Sequence, residues 1–151
     1  MHRREEFAIT DAQDDVGISL VEHQVAILVR RAAVASRRSG ELDRAVYLLL
    51  RRLEEGGPAG VKAIADEFHL DVSTISRQVT AMEAKGLIGR TPDPDDHRAF
   101  ALTLTETGRE ALEHERAARM VRYRRLLSGW TEEERKLFGT LLARLNHTFL
   151  D

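Results

Sequence analysis

At 151 residues, 42% hydrophobic and without cysteine, the chain can bury one core, or a small core plus an oligomerisation surface. The missing cysteines exclude disulfides, thiolate zinc sites and thiol-based peroxide sensing. A formal net charge of −2 excludes a nucleic-acid binder that works by bulk positive charge alone.

Residues 1–15 are charged and aperiodic and read as a flexible arm. From Ile18 to about Ser36, the residues Ile18, Val21, Val25, Leu28 and Ala32 recur at alternating three and four, which predicts a helix with a coiled-coil-like seam. Ile27 and Val29 widen that stripe, so it needs cover on more than one side. Arg30, Arg31, Arg37 and Arg38 near its end form a basic group that reads as solvated surface or as a hold for an anionic effector. A second helix is predicted over about Leu42–Glu54, burying Leu42, Ala45 or Val46, Leu49 and Leu53, with Gly56-Gly57-Pro58 as its stop.

The stretch Val61–Gly108 carries most of the functional information. In VKAIADEF, Val61, Ile64, Ala65 and Phe68 fall at helical spacing. His69-Leu70-Asp71 then reads as a turn, with His69 where glycine is often found in helix-turn-helix units. In VSTISRQVTAMEAKG, Ile75, Val79 and Met82 face inward, leaving Ser73, Thr74, Ser76, Arg77, Gln78 and Thr80 outward, and Gly86 supplies a left-handed stop. Hydroxyls fit base edges or phosphates, Gln pairs bidentately with adenine and Arg with guanine, so this face suits a major groove. An ordinary amphipathic surface helix collects the same residue types; what favours DNA is the order of elements that follows.

Leu87–Arg90 and Ala99–Leu104 read as two strands, the second placing Phe100, Leu102 and Leu104 on one side. Between them, residues 91–98 hold two prolines and three aspartates and predict an irregular hairpin tip. Its carboxylates and His97 make poor metal-site geometry on a single loop without EF-hand glycine spacing. The better reading is that Asp96 orients the Arg98 guanidinium toward a narrow minor groove. Within Val72–Arg98 the basic Arg77, Lys85, Arg90 and Arg98 are balanced by Glu83, Asp93, Asp95 and Asp96, so the reading head is formally neutral.

A charged helix is predicted over about Glu106–Leu127, its many Arg and Glu residues reading as a solvated face with weak ion pairs on a strut. Thr131 and Glu134 form a capping box before a last helix whose Leu137, Phe138, Leu141, Leu142, Leu145 and Phe149 make one apolar face. That face packs either within the chain or against a second copy.

Ser76-Arg77, Met82-Glu83, Gly86-Leu87-Ile88 with Arg90, Asp96-His97-Arg98 and Leu102-Thr103-Leu104-Thr105-Glu106-Thr107-Gly108 together resemble the MarR family of bacterial transcription regulators. The Asp-x-Arg at the tip and the Leu-Thr-x-x-Gly restart into helix are the most specific elements. The resemblance implies a mainly α fold with a small β-wing, in which residues 41–105 form a winged helix-turn-helix and 16–40 with 106–151 supply dimerisation helices. It also implies a homodimer on a pseudo-palindromic operator, acting as a repressor or less often an activator, commonly released by a small phenolic or anionic ligand. The expected DNA contacts are Ser73, Thr74, Ser76, Arg77, Gln78, Thr80, Arg90 and Arg98, with Asp96 supporting the wing.

The competing reading is a winged-helix module that binds another protein, supported by the neutral reading head. An enzyme fits poorly, because no Gly-x-Ser-x-Gly elbow, phosphate loop or paired metal-ligand spacing accompanies the Ser, His and Asp residues present. No cofactor is expected. With no apolar run long enough to span a membrane and no apolar segment after MHRREEF, a cytoplasmic location is expected.

Overall fold

The computed structural model describes residues 15–38 and 42–148, with side chains from residue 42 onward and up to residue 34 in the first segment. The arm expected over residues 1–15 therefore lies outside the described residues except for Asp15, as do Phe149 and the side chains of Arg37 and Arg38. The chain divides into two units, Met1–Glu41 and Leu42–Asp151.

Among its described residues the first unit contributes one helix, α1 (Asp15–Arg38). None of its described side chains is buried: in the seam, Ile18 is 68% exposed and Leu28 51%, and Val25, Ile27 and Ala32 are half-buried.

The second unit runs α2 (Arg44–Gly56), α3 (Val61–Glu67), α4 (Val72–Ala84), β1 (Ile88–Pro92), β2 (Phe100–Leu104), α5 (Glu106–Leu126) and α6 (Glu132–Thr148). This is a mainly α fold with a two-stranded wing, as expected. One core joins it: Leu49, Leu50 and Leu53 of α2, Ile64 and Ala65 of α3, Ile75, Val79 and Met82 of α4, Leu87, Ile88, Leu102 and Leu112 of α5. The buried positions of α2 (49, 50 and 53) and of α4 (75, 79 and 82) recur at three- and four-residue spacing, so the core is built around the apolar stripes of these two helices.

Helix ends explain the turns. Gly86 has φ +70° and closes α4 by a Schellman arrangement: its N–H donates to the Glu83 carbonyl (2.9 Å) and the Leu87 N–H to that of Met82 (3.0 Å). The same geometry closes α3, where the His69 N–H donates to Asp66 (3.2 Å) and the Leu70 N–H to Ala65 (2.9 Å). His69 occupies the left-handed position there with φ 51°, so the turn forms with histidine bearing the strain that glycine would relieve.

The hairpin differs from expectation in two ways. Thr91 and Pro92 belong to β1, pairing with Ala101 and Phe100, because Pro92 ends an edge strand where no ladder N–H is required. Phe100 is not inward but 60% exposed, whereas Ala101 and Leu102 are buried. The second edge of β2 is covered by Ala59, whose N–H and C=O both bond to Leu102 (3.2 and 2.8 Å). The segment after α2 is thus a third, one-residue rung of the sheet as well as a stop.

The entry into α5 is the tightest point. Thr105 caps it, its Oγ1 accepting from the Gly108 N–H (3.0 Å) and donating to the Gly86 carbonyl (2.6 Å). A Cβ at Gly108 would stand 1.9 Å from the Leu87 carbonyl oxygen, inside any permitted contact. The Leu-Thr-x-x-Gly motif is therefore a steric requirement of packing α5 on the end of α4. Gly108→Ala is expected to lower stability by about 1–3 kcal/mol through overpacking against backbone; a denaturant midpoint equal to that of the unaltered chain would show that the Leu87 peptide can move aside at no cost.

At the far end the predicted capping box is present: the Glu134 N–H donates to Thr131 Oγ1 (3.2 Å) and the Thr131 N–H to Glu134 Oε2 (2.7 Å). Among its described residues α6 buries none, with Leu137 61% and Leu141 50% exposed.

Candidate nucleic-acid interface

On α4, Ser73, Arg77 and Thr80 follow one another at four and three residues and are exposed, while Thr74, Ser76 and Gln78 flank this stripe half-buried. Thr80 Oγ1 donates to the Ser76 carbonyl (2.9 Å), so its proton is already committed to the helix. At the start of the helix Asp71 stands at the N-cap with extended backbone and no side-chain hydrogen bond to the first turn. The stripe thus begins beside backbone N–H groups suited to a phosphate.

The wing tip is held by backbone recognition of aspartates. Asp93 Oδ1 accepts from the N–H groups of Asp95 (2.8 Å) and Asp96 (3.3 Å), and Asp96 Oδ1 accepts from that of Arg98 (3.0 Å). Asp96 therefore supports the wing by shaping its turn and does not orient the Arg98 guanidinium, as the sequence had suggested. Short Asp side chains prefer this local bonding to a distant guanidinium. Neither Arg77 nor Arg98 forms an ion pair with a described residue. No group of three or more metal-ligating side chains comes together among the described residues.

Arg90 is placed differently from the other expected contacts. Its Nε and Nη2 donate to Glu83 Oε1 (2.6 Å) and Oε2 (3.1 Å), a forked pair between β1 and the last turn of α4. The Arg90 fork, together with its charge, holds the Glu83 carboxyl below its ordinary value.

A frame of further ion pairs, hidden from the sequence, supports this head. Arg52 donates to Glu67 (2.5 and 2.7 Å) and to the Gly57 carbonyl (3.0 Å), tying α2 to α3. Arg116 on α5 pairs with Glu54 on α2. Glu115, 3% exposed, accepts from the Leu42 N–H (3.1 Å) and from Arg119 Nε (2.6 Å), and the Arg119 guanidinium lies 4.2 Å from the Tyr47 ring centre. The strut expected to carry only weak surface pairs thus contains a buried carboxylate. The one available clue was spacing: Glu115 follows buried Leu112 by three residues and precedes Arg119 by four.

The Arg52 guanidinium keeps the Glu67 carboxyl below its ordinary 4.5, first by hydrogen bonding. A depressed folded-state value stabilises fully above the unfolded value, and this contribution is lost as pH falls through the depressed one. The effect is small because the Glu67 side chain is 43% exposed. The melting-temperature advantage of the native chain over Glu67→Gln should therefore be present at pH 7 and shrink below about pH 4.5; an advantage unchanged down to pH 3 would mean that the charge of Glu67 does not matter.

Against known families, residues 42–100 match the model described as the MarR family. Among curated proteins, an uncharacterised HTH-type transcriptional regulator of Bacillus subtilis, YxaD, is 42% identical over 92% of this chain and 99% of its own length. The HTH-type transcriptional repressor MdtR of Bacillus subtilis is 32% identical over 67% of this chain and 65% of its own. A crystal structure of a probable transcriptional regulator from Pseudomonas aeruginosa superimposes with a TM-score of 0.65 at 31% identity, covering 89% of this chain and 99% of that one.

Proposed function

The chain belongs to the MarR family of DNA-binding transcription regulators, and from that premise we propose that it acts as a homodimeric, effector-released repressor on a pseudo-palindromic operator. The observation that carries the reading is the outer stripe of α4, where Ser73, Arg77 and Thr80 are exposed beside Thr74, Ser76 and Gln78. Arg77 reads a base edge or adjacent phosphate in the major groove, and Arg98 enters the minor groove from the wing. Repression is taken from the likeness to MdtR, whose name states that role. The effector, a small anionic or aromatic molecule, rests on family membership alone.

Dimerisation rests on the apolar surface of α1 and α6. Exposed stripes as continuous as Ile18, Val21 and Leu28 on one helix and Leu137 and Leu141 on another mark association surfaces rather than solvent faces. A two-fold pair would set the two α4 helices roughly 34–36 Å apart, one turn of DNA. Sedimentation at micromolar concentration should give a dimer, and Leu137→Asp with Leu141→Asp should give a folded monomer. A native monomer at that concentration, or a double variant that remains dimeric, would refute this interface.

The DNA reading is tested with a duplex that the native protein selects from a random-sequence pool, beside a scrambled duplex of equal composition. Fluorescence anisotropy at several salt concentrations gives affinity and salt slope for each. Arg77→Ala should cost about 1–3 kcal/mol on the selected duplex and relax preference at one position. Arg98→Ala should weaken both duplexes and reduce the salt slope by about 0.9 per lost phosphate contact. Unchanged affinity and slope for Arg98→Ala in a folded protein would remove the wing from the interface. Failure of a panel of aromatic acids and phenols to release the selected duplex would remove the effector while leaving the operator in place.

A further inference from the structure

We propose that Glu83 is a positioning residue for DNA reading: its forked pair with Arg90 locks the wing to the recognition helix and withholds the Arg90 charge from phosphates. This rests on the operator reading above. The two groups belong to different elements, Glu83 to the last turn of α4 and Arg90 to the middle of β1. Both oxygens of the carboxylate and two nitrogens of the guanidinium take part, at 2.6 and 3.1 Å. A fork fixes direction as well as distance, which a single contact does not.

Strand geometry explains why Arg90 reaches back. Alternation places Ile88, Arg90 and Pro92 on one face of β1, and Ile88 is buried in the core shared with α4. Arg90 thus projects from the core side of the hairpin, on the rung opposite the core residue Leu102, toward the helix. Beyond the Thr91–Ala101 rung, where Ala101 is still buried, the wing has little else to fix its angle: Phe100, paired with Pro92 at the outer end of the ladder, is 60% exposed, and residues 94–99 are all exposed. The Glu83–Arg90 fork is the last side-chain tie between helix and hairpin among the described residues before the tip that carries Arg98.

As a stability element an exposed pair of this kind contributes little. Its consequence for DNA is larger, because a paired arginine releases no counterion on binding, whereas a freed one on a flexible stem adds a phosphate contact on any sequence. The brace therefore lowers non-specific affinity while holding the wing in the position that the selected sequence requires.

Glu83→Gln tests both halves by the same anisotropy titrations on the selected and scrambled duplexes. On the scrambled duplex, affinity should rise and the salt slope steepen by about 0.9 per protomer. The ratio of selected to scrambled affinity should fall roughly tenfold, the scale of one lost base contact. Glu83→Gln combined with Arg90→Gln removes both charges: the scrambled slope should return to the native value while the ratio stays low. Exchanging the charges, Glu83→Arg with Arg90→Glu, should recover native slope and ratio together. A shallower scrambled slope in the Gln–Gln variant than in the native chain would make Arg90 an ordinary phosphate contact and overturn the proposal. So would native slope and ratio in Glu83→Gln. A native chain that fails to discriminate the two duplexes overturns the operator reading, and this inference with it; discrimination retained by Glu83→Gln overturns this inference alone.

Discussion

The meeting of Gly86, Leu87, Thr105 and Gly108 is the constraint on which the reading head depends. One hydroxyl, Thr105 Oγ1, accepts from the first turn of α5 and donates to the carbonyl at the end of α4, and the Thr105 N–H donates to the Leu87 carbonyl (3.3 Å). The exit from the recognition helix, the start of the wing and the entry of the long helix are thereby tied within four residues. Only a residue without Cβ lets α5 approach so closely, and only a residue that accepts positive φ lets the chain leave α4 at that angle. Moving either glycine would displace α4 relative to the hairpin, and with it the distance between Arg77 and Arg98.

Around that knot, charge is used to hold the frame rather than to attract nucleic acid. Arg52, Arg90, Arg116 and Arg119 are each spent on a carboxylate of the same chain. The Glu115 pair is the most demanding of these, because a buried carboxylate loses its hydration and needs full compensation. It has three supports: the Leu42 N–H, the Arg119 guanidinium, and the Tyr47 ring over which that guanidinium lies. Removing Arg119 would leave a buried charge with one backbone donor, which costs more than the pair itself contributes. The net charge of −2 is still compatible with DNA binding, because placement matters more than the sum: Arg77 and Arg98, on the reading face, form no ion pair with a described residue.

The fold was legible because its elements are local. Apolar spacing located the helices α2 to α4, and the cap residues Gly86, Thr105 and Thr131 carry their geometry within three or four residues. Ambiguity entered where a side chain had a choice of partners. Asp96 lies two residues from Arg98, and spacing cannot say whether its carboxylate meets the guanidinium or the backbone N–H; the turn closed by Asp93 decides for the backbone. Phe100 fits the alternation of an inward strand, yet it sits where the hairpin has run past the core, so there is nothing for it to cover. Arg52–Glu67 and Leu42–Glu115, 15 and 73 residues apart, have no local signal at all.

The two arginines of the reading head that form no ion pair with a described residue, Arg77 and Arg98, differ in how they are held, and this bears on what each can read. Arg77 rises from the middle of a helix whose opposite face, Ile75, Val79 and Met82, is fully buried, so its backbone is fixed and only its own rotamers are free. Arg98 stands on an exposed tip whose shape comes from three hydrogen bonds to two aspartate carboxylates and from backbone bonds of Asp93 N–H to Ala99 and Ala99 N–H to Asp96. Base readout needs donors placed to within hydrogen-bond tolerance, whereas a groove of concentrated negative potential captures a cation over a broader range of positions. The rigid site therefore suits sequence reading and the compliant one suits groove shape and charge. That division follows from packing density around each backbone, and it would hold for any DNA bound by this face.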